Sequence, residues 1–351
     1  MTGLVYGTVR GATRLVGGGL DAILGSLVPV LELRDSSPER EALLAALNGV
    51  LGDHLAKTAN PLALPARLRS GGQPLVLERS ALSAALPGAG GRLAIFVHGL
   101  CMNDLKWNRK GHDHAAGLER DLGYQALHLR YNSGLHTSLN GRALADLLEA
   151  LVEAWPRPVT ELVLVGHSMG GLVSRSACHY GKAAGHRWLG PLRALVTLGT
   201  PHHGAPMERI GNWIGLVLEA TPYASHFARL GRIRSAGITD LRYGNLLDED
   251  WDGRDRFARG GDARHVVPLP EGVPLFALAG MKAKEEGGAA GRLLGDGLVP
   301  LESAVGRHGD PERDLALPPS RQCVVYGTPH LDLLGSREAY DRLRGWLGTR
   351  G

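Results

Sequence analysis

The fold of this chain is decided by the stretch Leu162-Val163-Leu164-Val165-Gly166-His167-Ser168-Met169-Gly170-Gly171. Its first four residues form an apolar strand pattern, a G-x-S-x-G motif follows, and a helical pattern then runs from Leu172 to His179. The motif alone is weak, because a chain of 351 residues with 50 glycines contains one by chance about 0.3 times. A strand, a turn and a helix around one serine coincide far less often, so the stretch predicts a sharp strand-to-helix elbow that exposes Ser168.

The glycines of this elbow have a physical purpose. A sharp turn holds the serine in strained backbone geometry, and larger side chains beside it would collide with neighbouring chain. The helix that follows directs its positive N-terminal end at the serine, where the backbone amide of Met169 can donate a hydrogen bond to an oxyanion. The sequence therefore predicts that Ser168 is a nucleophile and Met169 an oxyanion-hole residue. The alternative is a glycine-rich turn with an idle serine.

Apolar runs alternate with helical patterns on both sides of the elbow. This rhythm is typical of β-α-β units, in which a mostly parallel sheet is covered by helices on both faces. The predicted fold class is therefore α/β with a mostly parallel central sheet. The six predicted strands are Leu93–Val97, Gln125–Leu129, Glu161–Val165, Ala194–Leu198, Val273–Ala279 and Gln322–Tyr326.

A second oxyanion donor is expected on the loop after an earlier strand. The strand Leu93–Val97 runs into His98-Gly99-Leu100. Because it is the backbone of such a loop that acts, the sequence predicts the amide of Leu100 as the second donor. His98 is then expected to shape the loop.

A nucleophile on such an elbow is followed along the chain first by the acid and then by the histidine, each on a loop after a later strand. After the strand that ends at Ala279, the next carboxylate flanked by glycines is that of Asp296, in Gly295-Asp296-Gly297. Flanking glycines permit a tight loop that exposes the carboxylate. Asp296 is the predicted acid, and Asp310 and Asp314 are the alternatives.

The chain holds 15 histidines, of which His308 and His330 follow Asp296. His330 comes directly after the last predicted strand, whereas His308 lies in a charged, glycine-rich loop with no strand before it. The sequence therefore predicts His330 as the base of a Ser168-Asp296-His330 triad. Acyl transfer by such a triad requires no cofactor.

The segments outside the sheet pattern predict the domain organisation. Residues 1–70 are predicted to form an N-terminal helical extension, and residues 71–351 a catalytic domain with a cap or lid inserted at about residues 205–271. Ser37 and Pro38 are typical of a helix start within the extension. The stretch Gly3–Leu31 has the pattern of an amphipathic helix with glycines four apart. We expect this helix to pack on the catalytic body, with a membrane-surface anchor as the alternative.

Composition narrows the class of protein. Hydrophobic residues make up 44% of the chain and charged residues 21%, as in ordinary globular proteins. The net charge of +4 is spread without a dense basic block, so nucleic-acid binding is not expected. Three widely spaced cysteines predict buried thiols rather than a disulfide framework or a zinc knuckle. Because no basic segment or cleavage site accompanies the apolar N-terminal stretch, a cytoplasmic location is expected, and oligomeric state is not indicated.

Four landmarks together resemble bacterial lipases and esterases of the α/β-hydrolase superfamily, over roughly Gly91 to Leu343. The third landmark also resembles a loop of GPI inositol-deacylase-like proteins. The landmarks are Phe96-Val97-His98-Gly99, Gly166-His167-Ser168-Met169-Gly170-Gly171, Thr200-Pro201-His202-His203-Gly204 and Asp296-Gly297-Leu298-Val299-Pro300.

This resemblance implies an α/β-hydrolase fold and a hydrolase that cleaves carboxylic esters through an acyl-enzyme. The substrate is then expected to be a small-molecule or lipid ester, because the cap is apolar around Trp213. The same triad would also serve a thioesterase, an acyltransferase or an amidase, since the fold does not fix the leaving group. A binding protein that keeps the fold without catalysis is a further alternative, against which the complete triad argues.

Relatives of the resembled families suggest two metal positions. Some bind calcium through an aspartate just after the catalytic histidine, where this chain has Asp332 without a matching second carboxylate. Staphylococcal-type relatives hold zinc through histidines and aspartates, and His112-Asp113-His114 has neither their spacing nor their partners. We therefore expect no metal site, and interpret the second stretch as a polar loop or helix start.

Overall fold

The computed structural model describes residues 24, 28, 37–220, 234–257, 261–285 and 288–349. Apart from residues 24 and 28, the amphipathic helix predicted over Gly3–Leu31 lies outside this part of the chain. Its contact with the body or with a membrane stays a prediction. No helix of the described residues is long and apolar enough to cross a membrane.

Eight strands form one sheet in the order β2-β1-β4-β3-β5-β6-β7-β8. The strands β1 and β2 form an antiparallel hairpin that joins β4 in an antiparallel pairing, and all other pairs are parallel. The predicted α/β class with a mostly parallel sheet is confirmed, and each of the six predicted strands is present with ends that differ by at most two residues. The strands are β1 Arg67–Ser70, β2 Gln73–Pro74, β3 Arg92–Val97, β4 Gln125–Arg130, β5 Glu161–His167, β6 Leu192–Leu198, β7 Leu275–Gly280 and β8 Gln322–Val325.

Helices cover both faces of the sheet and begin where the sequence offers caps. The Ser37 hydroxyl accepts from the amide of Arg40 at 3.2 Å, and Pro38 occupies the first helical position, as predicted. The helices are α1 Pro38–Lys57, α2 Arg79–Ala85, α3 His114–Leu122, α4 Thr137–Ala154, α5 Met169–Ala183, α6 Met207–Ala220, α7 Ala236–Asp240, α8 Ala289–Leu294, α9 Leu301–Ala304 and α10 Arg337–Gly348.

The central strand β3 shows how the sheet divides the core into two layers. Leu93, Ile95 and Val97 belong to one buried cluster, and Ala94 and Phe96 belong to the other. Successive side chains of a strand point to opposite faces, so a strand that is apolar throughout must be covered on both. The sheet is therefore a rigid base that fixes the loops at the carboxyl ends of its strands.

Helix α1 is joined to the sheet by buried ion pairs. The Glu41 carboxylate, 2% exposed, lies 3.2 Å from the guanidinium of Arg69 and 2.8 Å from that of Arg130. Arg69 belongs to β1, which starts at Arg67 and so precedes the predicted domain boundary at residue 71. The division into an extension and a catalytic domain stays a prediction.

The segment predicted to form a cap contacts the same helix. The Ser235 hydroxyl donates to the carbonyl of Gly49 at 2.7 Å, and the amide of Ala236 donates to the Asp53 carboxylate at 3.1 Å. Arg256 forms an ion pair with Asp53 at 2.6 Å. Helix α1 thus contacts both the sheet and the segment predicted to cap it. All three cysteines are buried thiols, as predicted.

Candidate active site

Ser168 lies at the turn between β5 and α5 with a backbone φ of 55° and ψ of −125°. A positive φ is strained for any residue with a side chain, and such strain persists only where the surroundings impose it. Here the amide of Ser168 donates to the carbonyl of Leu198 on β6 at 2.9 Å, which ties the turn to the neighbouring strand. The elbow predicted from the sequence is confirmed as local structure.

Three glycines make room for this turn. A Cβ added to Gly166 would lie 2.4 Å from the amide nitrogen of Gly171, and one added to Gly170 would lie 2.0 Å from the carbonyl oxygen of Val97. A Cβ on Gly99, in the loop after β3, would lie 3.0 Å from the Cβ of Ser168 itself. The serine and the loop after β3 are therefore packed as closely as backbone allows.

Replacing Gly170 with alanine is expected to destabilise the fold by about 3 kcal/mol, because the new methyl group would overlap backbone atoms that belong to a buried strand. The matched control is Gly345→Ala on the surface of α10, where an added Cβ meets nothing within 4 Å. This control should gain ~0.5–1 kcal/mol, since alanine favours the helix. Urea unfolding followed by circular dichroism measures both. Equal stabilities of the two variants would contradict the packing described here.

The loop after β3 is held in place by neutral polar contacts. The carbonyl of His98 accepts from the Tyr131 hydroxyl at 2.7 Å, and the two rings stack at 4.3 Å between centroids. Burial lowers the pKa of His98 to about 4, so its imidazole is neutral near pH 7. The amide of Cys101 donates to the Ser133 hydroxyl at 3.1 Å.

The two predicted oxyanion donors lie next to this loop and elbow. Leu100 immediately precedes Cys101, and Met169 immediately follows Ser168; both are buried. Among the described residues, neither amide donates a hydrogen bond to a backbone carbonyl outside regular helix and strand pairing. Amides without an internal acceptor are available to a ligand.

Asp296 and His330 meet at the carboxyl ends of the adjacent strands β7 and β8. The Nδ1 of His330 donates to the Oδ2 of Asp296 at 2.6 Å, and both residues are at least 96% buried. The other carboxylate oxygen, Oδ1, accepts from the amides of Leu298 and Val299 at 2.9 Å each. Three donors on one carboxylate fix its orientation.

The remaining nitrogen of His330, Nε2, is buried and has no hydrogen-bond partner among the described residues. It makes no hydrogen bond to the Ser168 hydroxyl in this structure; such contacts are often long before substrate binds. The carbonyl of His330 accepts from the Nε2 of His167 at 3.2 Å. Burial and the nearby His330 hold the pKa of His167 well below its usual range, so His167 acts as a neutral donor that positions the backbone of His330.

The alternative acids and the alternative base lie elsewhere. Asp310 pairs with Arg313 at 3.4 Å, and Asp314 accepts from the amides of His308 and Ala316. The His308 ring packs beside His203, with 4.9 Å between centroids. These residues form a separate polar loop.

The two positions suggested by metal-binding relatives are occupied by other contacts. Asp332 forms ion pairs with Arg109 at 2.9 Å and Lys110 at 2.8 Å, which lower its pKa against the effect of burial. His114 begins α3, and Asp113 caps that helix by accepting from two amides, as the interpretation of a helix start predicted. No cluster of metal-ligating side chains occurs within the described ranges.

A cavity of about 950 Å³ opens at Asp296 and His330. Its wall includes Asp296, His330 and Trp213 of α6, whose ring stands edge-on to that of His330 at 6.4 Å. It also includes Ala42 and Ala45 of α1. This volume lies within the range of small-molecule sites.

Sequence reasoning missed part of this wall. Nothing in the helical pattern of α1 indicated that Ala42 and Ala45 face the site, because that contact depends on long-range packing. Lys282 could have been found, since it follows β7 by two residues and so stands at the same sheet edge as Asp296.

Comparison with known proteins finds a similarity to one family over part of the chain. Residues 89–260, just under half of the chain, match the family model of the PGAP1-like alpha/beta domain. The matched region contains β3, the elbow and the loop between β6 and α6. Over these residues the chain is similar to that family. The match includes Ser168 and stops before Asp296 and His330.

Several solved structures are similar to this chain. A lipase of Bacillus licheniformis in its mature form shares 21% identity over 74% of this chain and 92% of its own, with a TM-score of 0.47. An esterase of Pyrococcus furiosus shares 14% identity over 74% and 82%, with a TM-score of 0.44. An ester hydrolase from the metagenome of Lake Arreo shares 15% identity over 97% and 99%, with a TM-score of 0.43. The identities and TM-scores of these structures are too low to support a conclusion about the function of this chain. A search of curated proteins returned no significant match.

Proposed function

We propose that this protein is a serine hydrolase that cleaves carboxylic esters through a triad of Ser168, His330 and Asp296. The observation that carries the proposal is the buried 2.6 Å pair of His330 and Asp296 at the sheet edge where Ser168 occupies a strained elbow. A buried carboxylate that orients a histidine, with the second imidazole nitrogen unpaired, is the arrangement needed to activate a serine.

In the first step, the Nε2 of His330 removes the proton from the Ser168 hydroxyl as its oxygen attacks the ester carbonyl. The amides of Leu100 and Met169 stabilise the oxyanion, aided by the positive N-terminal end of α5. The imidazolium of His330 then protonates the leaving alcohol as the carbon–oxygen bond breaks. The Asp296 carboxylate stabilises this imidazolium through Nδ1 and keeps the ring in the tautomer that leaves Nε2 free to accept.

In the second step, water attacks the acyl-enzyme. His330 accepts a proton from the water, the same amides hold the second oxyanion, and Ser168 leaves with the proton from Nε2. The free acid and the original serine result. The mechanism uses side chains and backbone amides of this chain alone.

A fluorophosphonate probe tests the proposal, because it reacts with an activated serine and not with an ordinary hydroxyl. We expect one adduct per folded chain, located on Ser168 by peptide mass spectrometry, and no adduct on heat-unfolded protein. An unlabelled folded protein, or an adduct on another serine, would overturn the assignment. Release of p-nitrophenol from esters of short to long acyl chains, compared with a thioester and an anilide, then identifies the preferred leaving group.

A further inference from the structure

The wall of the cavity at Asp296 and His330 carries an excess of positive charge. Five cationic side chains and two carboxylates contribute to the described part of this wall. The chain as a whole is nearly balanced, with 39 Lys and Arg against 35 Asp and Glu. The excess of three cations on this wall is close to the excess of four in the whole chain. The cations are Lys106, Arg109, Lys110, Arg209 and Lys282, and the carboxylates are Asp296 and Asp332.

The two carboxylates neutralise little of this charge. Asp296 is buried against His330 and serves the pair described above. Asp332 is shared by Arg109 and Lys110, so that group of three keeps one positive charge.

The remaining three cations have no carboxylate partner among the described residues. Lys106 lies exposed on the short helical turn Asp104–Trp107 after β3. Arg209 on α6 donates to the carbonyl of Leu293 at 2.8 Å, which leaves its charge uncompensated by an acid. Lys282 lies exposed beside the acid loop, since a Cβ on Gly297 would lie 2.6 Å from its Nζ.

The cations come from three separate segments of the chain. Lys106, Arg109 and Lys110 follow β3, Arg209 belongs to the segment after β6, and Lys282 follows β7. A charged surface loop would place its cations on one segment, whereas here three segments direct them at one opening. Positive charge around a cleft attracts anions and raises their local concentration.

Other residues of the same wall are apolar. Ala42 and Ala45 of α1, Met102, Trp213 and Leu298 line the same cavity. A ligand that fits both parts has a hydrocarbon portion and a negative charge in one molecule.

We propose that the substrate is an acyl ester that carries an anionic group, a phosphate or a carboxylate, which the cations around Lys106 and Lys282 bind while the acyl chain contacts the apolar wall. This inference rests on the proposed function and names its substrate class. The reaction itself is unchanged: water cleaves the ester bond and the anionic group takes no part in bond making.

Two matched pairs of soluble esters test the proposal. The first pair is 1-butyrylglycerol 3-phosphate and neutral 1-butyrylglycerol; the second is 3-butyryloxypropanoate and its neutral amide. Butyrate release gives kcat/KM for each. We expect the anionic member to be preferred at least about tenfold at low salt in one pair or both, and the preference to shrink as salt screens the charges. The pair that shows the larger preference identifies phosphate or carboxylate as the group bound.

Substitutions locate the preference. Lys106→Gln and Lys282→Gln should each lower the anionic-to-neutral ratio about three- to tenfold, the size expected for one partly screened charge. The control Lys182→Gln removes the same charge from the far end of α5, about 20 Å from the elbow, and should leave the ratio as in the wild type.

The outcomes separate this inference from the proposed function. Neutral esters cleaved as fast as anionic ones, with Ser168 labelled, would overturn the anionic substrate and leave the hydrolase intact. No labelling and no cleavage would overturn both. If Ser168 is labelled but none of the four esters is cleaved, the test is whether butyl phosphate protects Ser168 from the probe. Butyl phosphate should slow labelling of the wild type more than labelling of Lys282→Gln. Equal slowing in both proteins would overturn the inference.

Discussion

Replacing Ser168 with alanine is expected to lower kcat for ester hydrolysis by about 10⁶-fold, because no covalent acyl-enzyme can form. Alanine keeps a Cβ in the same space, so the elbow and its contact with Gly99 should persist. Activity is measured with p-nitrophenyl butyrate, and folding by circular dichroism. Residual rates in the variant report what the oxyanion amides and binding contribute without the nucleophile.

Two comparisons make this result specific to the proposed mechanism. Ser83→Ala changes an exposed serine of α2, whose hydroxyl bonds the carbonyl of Arg79, and should leave kcat unchanged. When two residues act in the same catalytic step, removing the second lowers kcat no further once the first is gone. The double variant Ser168→Ala with His330→Ala should therefore be no slower than either single variant. Losses that multiply in the double variant would show that His330 does not act through Ser168.

The second large effect is expected for Asp296→Asn, which should lower kcat by about 10⁴-fold. An asparagine amide can direct its NH₂ group at Nδ1 of His330, which would leave the proton on Nε2 and remove the acceptor that Ser168 needs. The amides of Leu298 and Val299 can still donate to the remaining side-chain oxygen, so the loop should stay folded.

The alternative acids serve as matched controls for this substitution. Asp310→Asn and Asp314→Asn make the same chemical change in the loop near His308 and should keep kcat within about twofold of the wild type, because surface changes away from the site have small effects. A large loss in either control, together with an active Asp296→Asn, would move the acid to that loop.

The parts of this molecule that could be predicted are those that depend on residues close together in the sequence. The elbow at Ser168 follows from a strand, three glycines and a helix start within a few residues, and the strands follow from unbroken apolar runs. The proximity of Asp296 and His330 can also be predicted, because β7 and β8 are parallel neighbours whose carboxyl ends lie at the same sheet edge. Loops after such strands lie together whatever their own sequence.

The cavity could not be predicted in the same way. Ala42 and Ala45 carry no signal beyond an apolar helix face, and only the folded chain brings that face to His330. Arg109 and Lys110 lie in a loop without periodicity, where a pair of cations is typical of an exposed surface. Their position at the cavity cannot be predicted from that loop, because it depends on which side chains other segments place around the same opening.

The position of α1 bears on how such a protein can be altered. Gly49 packs so closely on the loop after β3 that a Cβ there would lie 2.2 Å from the Sγ of Cys101, one residue from a proposed oxyanion donor. The same helix forms part of the cavity wall and contacts the predicted cap segment through Asp53. Removing α1 from the chain would therefore remove part of the cavity wall. Substitutions that change acyl preference are expected in α1 as often as in the loops that carry Asp296 and His330.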